Sequence, residues 1–353
     1  MSSNPPANFK SSQNISGGAQ VNPFKDKSVL ITGGTGSLGK ALLKKLTDME
    51  VRKIIVFSRD ELKQSMLQQQ YPDLGGSSPY RYFIGDVRDK ERLVRAFNNV
   101  DIVIHAAALK QIGACEYNCT EAMKTNVLGS MNVVEAAIDA GVAKVLLIST
   151  DKSSYPINFY GTTKKLAEGL FVQGNSYSGG TGTKFGVCRY GNVLGSRGSV
   201  VPIFIEQGKI GEITITDKRM TRFWITMKRA VELVIDSIGK MLGGEIFIPK
   251  IPSMRIVDLA YAIAPEARLT EIGIRPGEKI NEILLNEDEA RSATDCGNHY
   301  IIYPVHHWWT LNEQRNGVPL PDGYQYASDC NTEWLSQEQL RQIVSNPHYA
   351  EVV

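Results

Sequence analysis

The sequence of this 353-residue chain predicts an α/β fold: a doubly wound parallel sheet with a smaller C-terminal lobe. Three features predict it. Short apolar runs alternate with helix-like stretches as far as residue 190, the pattern of repeated strand–helix–strand units. A glycine-rich turn joins the first run to the first helix. Beyond residue 190, proline and glycine recur more densely, as expected of short elements around a cleft. The expected division has a nucleotide domain over 22–190, to which 226–250 returns, and a substrate lobe from 191–225 and 251–353. Residues 1–21 are rich in Ser, Asn, Gly and Pro and lack the apolar core of a signal peptide. They read as a disordered tail or leader.

The first run is Ser28–Thr32, followed by Gly33-Gly34-Thr35-Gly36-Ser37-Leu38-Gly39 and a helix-like stretch from Lys40 to Met49. Gly33, Gly36 and Gly39 have the spacing of a Rossmann-like dinucleotide turn, in which backbone approaches a pyrophosphate at a helix N-terminus. Thr35, Ser37 and Leu38 lie in the same turn. The second run, Lys53–Phe57, ends at Ser58 and Arg59, with Lys63 one turn further on. An NAD site commonly places a carboxylate about 20 residues past the glycines, whereas an arginine fork suits the 2′-phosphate of NADP. NADP is therefore expected, although Asp60 and Glu61 follow directly and also suit a helix start. In Tyr82–Val87, Asp86 and Val87 would flank an adenine. Asp101–His105 leads into Ala106, Ala107 and Ala108, small enough for a cofactor to lie against the backbone. His105 reads as structural. Asn126 reads either as an orienter at the cofactor or as an interhelical contact.

Val145–Ser149 runs into Thr150, Asp151 and Lys152, and Tyr160 and Lys164 follow. The spacing of Tyr160 and Lys164 puts both on one helix face. Lowering a phenol pKa from about 10 to about 7 takes roughly 4 kcal/mol. Lys164 and an oxidised nicotinamide are the expected sources. Asp151 and Lys152 add proton-transfer groups that a simple dehydrogenase does not need. Taken alone, the Tyr/Lys pair also fits a solvated helix face. Lys184–Arg189 should add a strand, and helix Met227–Met241 and strand Glu245–Ile248 should return to the first domain.

Composition narrows the class. The net charge of +2 points neither to nucleic acid nor to a membrane surface. No apolar stretch approaches the roughly 20 residues of a transmembrane helix. Five scattered cysteines suit a reducing cytoplasm. Cys115 and Cys119 lack a second pair, so no metal is expected, and His306-His307 beside Trp308-Trp309 reads as packing.

The chain resembles the extended short-chain dehydrogenase/reductases, and more narrowly the soluble UDP-N-acetylglucosamine 4,6-dehydratases that invert C5 and open pseudaminic acid biosynthesis. The motifs are Ser58-Arg-Asp-Glu-Leu-Lys63, His105-Ala-Ala-Ala-Leu-Lys110-Gln111, Ser149-Thr-Asp-Lys152, Arg189-Tyr-Gly-Asn192-Val-Leu-Gly195 and Gly273-Ile-Arg-Pro-Gly-Glu278-Lys279. The resemblance implies a UDP-N-acetylhexosamine substrate, a homo-oligomer, and Lys110 at both cofactor and sugar. It implies Asn192, Arg197, Ser199, Val200, Arg222, Arg275 and Glu278 at the diphosphate and uridine. Tyr160 would take the C4 hydroxyl proton, assisted by Thr150. Lys152, made neutral by burial and nearby cations, would take the C5 proton, and protonated Asp151 would assist loss of the C6 hydroxyl. Ile112-Gly113-Ala114-Cys115 and Asn118-Cys119 stand where the family has proline, in a loop expected over the sugar. A retaining dehydratase, a C4 epimerase that leaves Asp151 and Lys152 idle, and a non-catalytic NADP sensor are the alternatives.

Overall fold

The computed structural model describes residues 22–73, 78–195, 199–306 and 315–345. The expected tail at 1–21, Arg197 and His307–Trp309 lie outside these described residues. The first half alternates as the sequence predicts: β1 Ser28–Thr32, α1 Ser37–Thr47, β2 Lys53–Ser58, α2 Glu61–Gln70, β3 Tyr80–Ile84, α3 Lys90–Phe97 and β4 Ile102–His105. Then come α4 Ile112–Tyr117, α5 Cys119–Met123, α6 Gly129–Ala140, β5 Lys144–Ile148, α7 Phe159–Tyr177 and β6 Lys184–Cys188. α1 starts three residues earlier than the apolar pattern implied, because Gly36 is already in the extended N-cap conformation. β3 ends at Ile84, so Asp86 and Val87 follow the strand.

The central strands are buried over their whole length, which explains their unbroken apolar runs. Val29 of β1 pairs with Ile54 on one side and Ile102 on the other, both in parallel. The chain moves outward through β2 and β3, then returns to β4 and builds in the opposite direction. This reversal opens a crevice beyond the carboxyl ends of β1 and β4, where nucleotides bind in such sheets.

The second half contains β7 Asn192–Val193, α8 Val200–Lys209, β8 Glu212–Ile215, β9 Thr221–Ile225, α9 Met227–Lys240 and β10 Ile246–Pro249. It continues with β11 Ser253–Arg255, α10 Ile256–Ile263, β12 Arg268–Glu271, β13 Ile283–Leu285 and α11 Glu287–Ala290. Last come β14 Ala293–Asp295, β15 His299–Ile302, β16 Val318–Pro319, β17 Tyr326–Ala327 and α12 Gln337–Ser345. β10 joins β6 in parallel, as expected of a returning segment.

The described residues form a ten-stranded sheet in the order β16-β14-β15-β10-β6-β5-β4-β1-β2-β3. Here the architecture departs from the expected division. β14, β15 and β16 lie inside 251–353 yet extend the nucleotide sheet as antiparallel strands. Tyr300, Ile301 and Ile302 are buried, and the edge left by β10 gives them both backbone partners and an apolar core. The lobe has its own core, built from residues between Leu194 and Ala267 with Leu340 of α12.

Candidate active site

A cleft of about 1210 Å³ runs from the glycine turn across the ends of β4 and β5 into the lobe. Gly33 has φ +69°, and a Cβ there would lie 2.8 Å from the Ala107 nitrogen. The turn therefore presses against the Ala106–Ala107 backbone, leaving a shallow wall beside the open N-terminus of α1. Thr35, Gly36, Ser37, Leu38, Gly39 and Ala108 share that wall, and its chemistry fits a dinucleotide pyrophosphate. Further out, Ser58 is buried and bonded by Gln64, while Arg59 is half exposed and 3.5 Å from Asp86. Asp60 caps α2, accepting from the Lys63 N–H at 3.0 Å, and pairs with the Lys63 ammonium. Burial would raise the Asp86 pKa, but hydrogen bonds and charge from Arg88, with Arg59, outweigh it and lower it. Val87 lies beside it on the cleft wall.

Asn126 does not line the cleft. It is buried behind the wall, accepting from the Leu109 N–H and donating to the Leu109 carbonyl, both at 2.8 Å. It also donates to Thr163 at 3.0 Å, so it fixes the loop after β4 to α7. His105 is buried between Thr32 and Ser130, and burial with the Lys164 charge lowers its pKa to about 3. It is neutral and structural.

The Thr150–Ser153 turn meets the start of α7. Asn158 caps that helix by accepting from the Gly161 N–H at 2.7 Å. A Cβ on Gly161 would collide with the Lys152 carbonyl, so glycine lets helix and turn touch. Asp151 is 1% exposed. Its Oδ1 accepts from the Thr150 hydroxyl at 2.8 Å and the Lys152 ammonium at 3.0 Å, while Oδ2 finds no hydrogen-bond partner among the described residues. The Lys152 Nζ also lies 3.3 Å from Glu282.

These contacts change two expectations. Burial alone would lower the Lys152 pKa, but Asp151 and Glu282 outweigh it and raise it, so the free enzyme holds an ammonium. The cation of the sequence reading, Arg222, is outweighed by these two carboxylates. Tyr160 is pushed up to about 12 by burial, which Lys152 and a hydrogen bond from Thr150 offset only in part. Lys164 instead donates to the Ile148 carbonyl at 2.8 Å, and burial lowers its pKa to about 8 against the opposing charge of Glu168.

A buried ionic network fixes the turn from below. Ser149 and Ser153 each donate to Glu168 at 2.6 Å. Arg189, fully buried, bonds Glu168 at 2.7 Å and Glu289 at 2.8 Å. Charge from Arg189 outweighs the burial that would raise Glu289, whose pKa falls to about 2.

On the lobe side, Asn192, Ser199, Val200, Arg222, Arg275 and Glu278 all line the cleft, with Lys110 opposite. Buried oxygens of Ser199 and Glu278 have no hydrogen-bond partner among the described residues. Arg275 is exposed and 3.9 Å from Glu278. Arg222 is committed differently from the expected diphosphate contact. It donates to the carbonyls of Thr221, Ile280 and Lys279 at 2.7, 2.8 and 3.0 Å, holding the turn that carries Glu282. The segment expected as a loop over the sugar is the helix α4, with Ile112, Gly113 and Glu116 at the cleft. The sequence reading missed Glu168, Glu282 and Glu289. The one signal for Glu282 was its place four residues after Glu278 in the same turn.

The chain matches the family described as polysaccharide biosynthesis protein over residues 29–304. It is 46% identical over 334 residues to a UDP-N-acetylglucosamine 4,6-dehydratase (inverting) of Campylobacter jejuni, covering 92% of this chain and 98% of that protein. A UDP-glucose 4-epimerase of Rickettsia canadensis is 38% identical, with 93% and 98% covered. The X-ray structure of Pen from Bacillus thuringiensis superposes with a TM-score of 0.84 at 37% identity, covering 94% of this chain and 99% of that one. With its glycine turn, parallel sheet and Tyr160/Lys164 helix, the chain belongs to the polysaccharide biosynthesis protein family, built on the short-chain dehydrogenase/reductase fold.

Proposed function

We propose that the protein is a UDP-N-acetylglucosamine 4,6-dehydratase that inverts C5 and yields a UDP-4-keto-6-deoxy-L-hexosamine. The observation that carries this reading is the buried Asp151–Lys152 pair, 3.0 Å apart beside Tyr160 in the cleft. A C4 epimerase has no step for that pair. The 46% identity to an inverting dehydratase supports the same reaction. The epimerase name of the Rickettsia relative keeps a second reading open.

When bound, NADP would accept a hydride at C4 and return it to C6. Tyr160 takes the C4 hydroxyl proton, with Thr150 bonded to the same oxygen and Lys164 on the same helix face. The ketone acidifies the C5 hydrogen. Lys152 passes its ammonium proton to Asp151, which creates an amine base and a carboxylic acid together. The amine removes the C5 proton, and the acid protonates the C6 hydroxyl as water leaves. Ammonium and carboxylate are thereby restored. A proton from solvent, delivered to C5 from the opposite face, then gives inversion. Each such transfer is typically worth about 10² to 10⁴ in rate.

Arg59 and Ser58 favour NADP, and calorimetry of NADP against NAD with wild type and R59A tests this. Preference for NADP that R59A removes is the expected result. We assign the diphosphate and uridine to Asn192, Ser199, Arg275 and Glu278, with Arg197 on the same segment. A homo-oligomer is supported by exposed Leu128, Met131 and Leu166 on or beside α6 and α7, and light scattering tests it. Five free cysteines support a reducing, cytoplasmic setting.

The deciding experiment is proton NMR of the enzyme with UDP-N-acetylglucosamine in D₂O. A new 6-methyl signal, deuterium at C5 and L-arabino couplings are expected. D-xylo couplings would assign retention, and an epimerised sugar without a methyl signal would sink the roles of Asp151 and Lys152.

A further inference from the structure

We propose that Glu282 is a positioning residue for the elimination, its carboxylate holding the Lys152 ammonium in place and keeping on it the proton that Asp151 must receive. This rests on the dehydratase reading above. Glu282 is 2% exposed yet faces the cleft. Oε1 lies 3.3 Å from Lys152 and 3.9 Å from Arg222, and Oε2 has no hydrogen-bond partner among the described residues. A buried carboxylate with a bare oxygen is costly, so packing alone does not account for it.

The fold does not need the side chain to place this residue. The Glu282 N–H donates to the Ser328 hydroxyl at 2.9 Å, and its carbonyl accepts from the Ser328 N–H at 2.8 Å. Ser328 is itself bonded to Thr221 at 2.6 Å. Backbone bonds and Arg222 therefore fix the turn, and the carboxylate is left directed at Lys152.

The groups facing Lys152 are Asp151 from its own turn, Tyr160 from α7, Arg222 from β9, and Lys279 with Glu282 from the turn before β13. Asp151 and Glu282 attract the ammonium proton, while Arg222 and Lys279 oppose it. Without Glu282, one carboxylate faces two cations. Lys152 then loses its proton at lower pH, and the shared proton that makes Asp151 an acid disappears with it.

The test compares E282Q with wild type across pH, reading two signals. Dehydration is followed by the 6-methyl resonance, and C4 oxidation by transient near-ultraviolet absorbance of the reduced nicotinamide in a single turnover. The alkaline limb of dehydration should move down by about one pH unit or more, a tenfold loss at a pH where wild type is still on its plateau. The C4-oxidation limb should stay. A uniform loss at every pH, or unmoved limbs, would overturn the proposal. If E282Q does not fold, E282D decides: a carboxylate one methylene further away should shift the same limb by less, and an unmoved limb is contrary. Failure of wild type to release water would overturn the dehydratase reading and this inference with it. Dehydration by wild type with an unmoved variant limb overturns this inference alone.

Discussion

The Lys164 ammonium donates to the Ile148 carbonyl over 2.8 Å, which latches α7 to the end of β5 immediately before the Ser149–Asp151 segment. Tyr160 is held at the cleft by this latch and by the Asn158 cap. In the free protein its phenol is kept protonated by burial, its pKa about 12. The positive charge of an oxidised nicotinamide is what remains to bring it down. Ultraviolet difference titration of wild type against Y160F should show no Tyr160 ionisation near neutral pH without cofactor. Ionisation should appear at lower pH when NADP is added, and an unchanged titration would contradict this role.

Lys164 also leaves a mark on stability. Its folded pKa of about 8 lies below the ordinary 10.5, so the unfolded chain binds more protons between these values. Stability must rise with pH across that window, because the cost of a buried ammonium is relieved first in the folded state. Urea denaturation of wild type against K164M should show wild type gaining on the order of 3 kcal/mol relative to the variant from below pH 8 to above pH 10. A constant difference would mean that Lys164 titrates normally.

Replacing Lys152 by glutamine separates the two halves of the reaction. C4 oxidation should survive, since Tyr160 and Thr150 are untouched. Dehydration should fall by about 10²- to 10⁴-fold. Stopped-flow absorbance of the reduced cofactor, read beside the methyl resonance, distinguishes the halves. Equal loss of both would argue that Lys152 serves only to shape the turn.

Arg189→Met leaves buried Glu168 and part-buried Glu289 with only the half-exposed Lys165 as a shared cation. Breaking such a network costs about 3–5 kcal/mol, which chemical denaturation at neutral pH would read. Glu289 has a folded pKa of about 2, depressed from 4.5, so its contribution is complete above 4.5 and lost as pH falls toward 2. Wild type should therefore lose stability across that acid range more steeply than the variant. Parallel curves would show that the network carries no net free energy.

Gly161→Ala would ordinarily favour a helix by up to about 1 kcal/mol. Here the added methyl meets the Lys152 carbonyl, so the variant should lose about 1–3 kcal/mol, as overpacked sites do. Thermal unfolding and methyl-signal rates would report both the strain and the displaced Lys152. A variant as stable and active as wild type would mean that helix and turn separate freely.

The glycine turn and the Tyr160/Lys164 pair were legible in the sequence because each is local, with all its parts in one turn or one helix. That the strands from β1 to β6 lie parallel followed from their alternation with helices, though their order in the sheet did not. Residues that act across the chain were not legible. Arg189 and Glu289 are 100 positions apart, and Ser154 and Glu289 are 135 apart. No periodicity links such partners. The charge of Lys152 was misread because Asp151 was taken as protonated and because the second carboxylate, Glu282, arrives through the turn that Arg222 fastens. The edge strands β14 to β16 were assigned to the lobe because short strands after many glycines and prolines read as loops until a partner edge is known.

The late position of Glu282 and Glu289 bears on how the enzyme is born. A chain emerging from the ribosome completes its glycine turn, Asp151, Lys152 and Tyr160 well before either glutamate exists. Domains generally fold from the N-terminus as they are made. The nascent nucleotide half therefore has an Arg189 satisfied on one side only and a Lys152 lacking one of its two carboxylates. The β14–β16 strands that close the sheet edge follow these glutamates directly. Catalytic competence and the last seam of the fold are thus reached in the same stretch of synthesis.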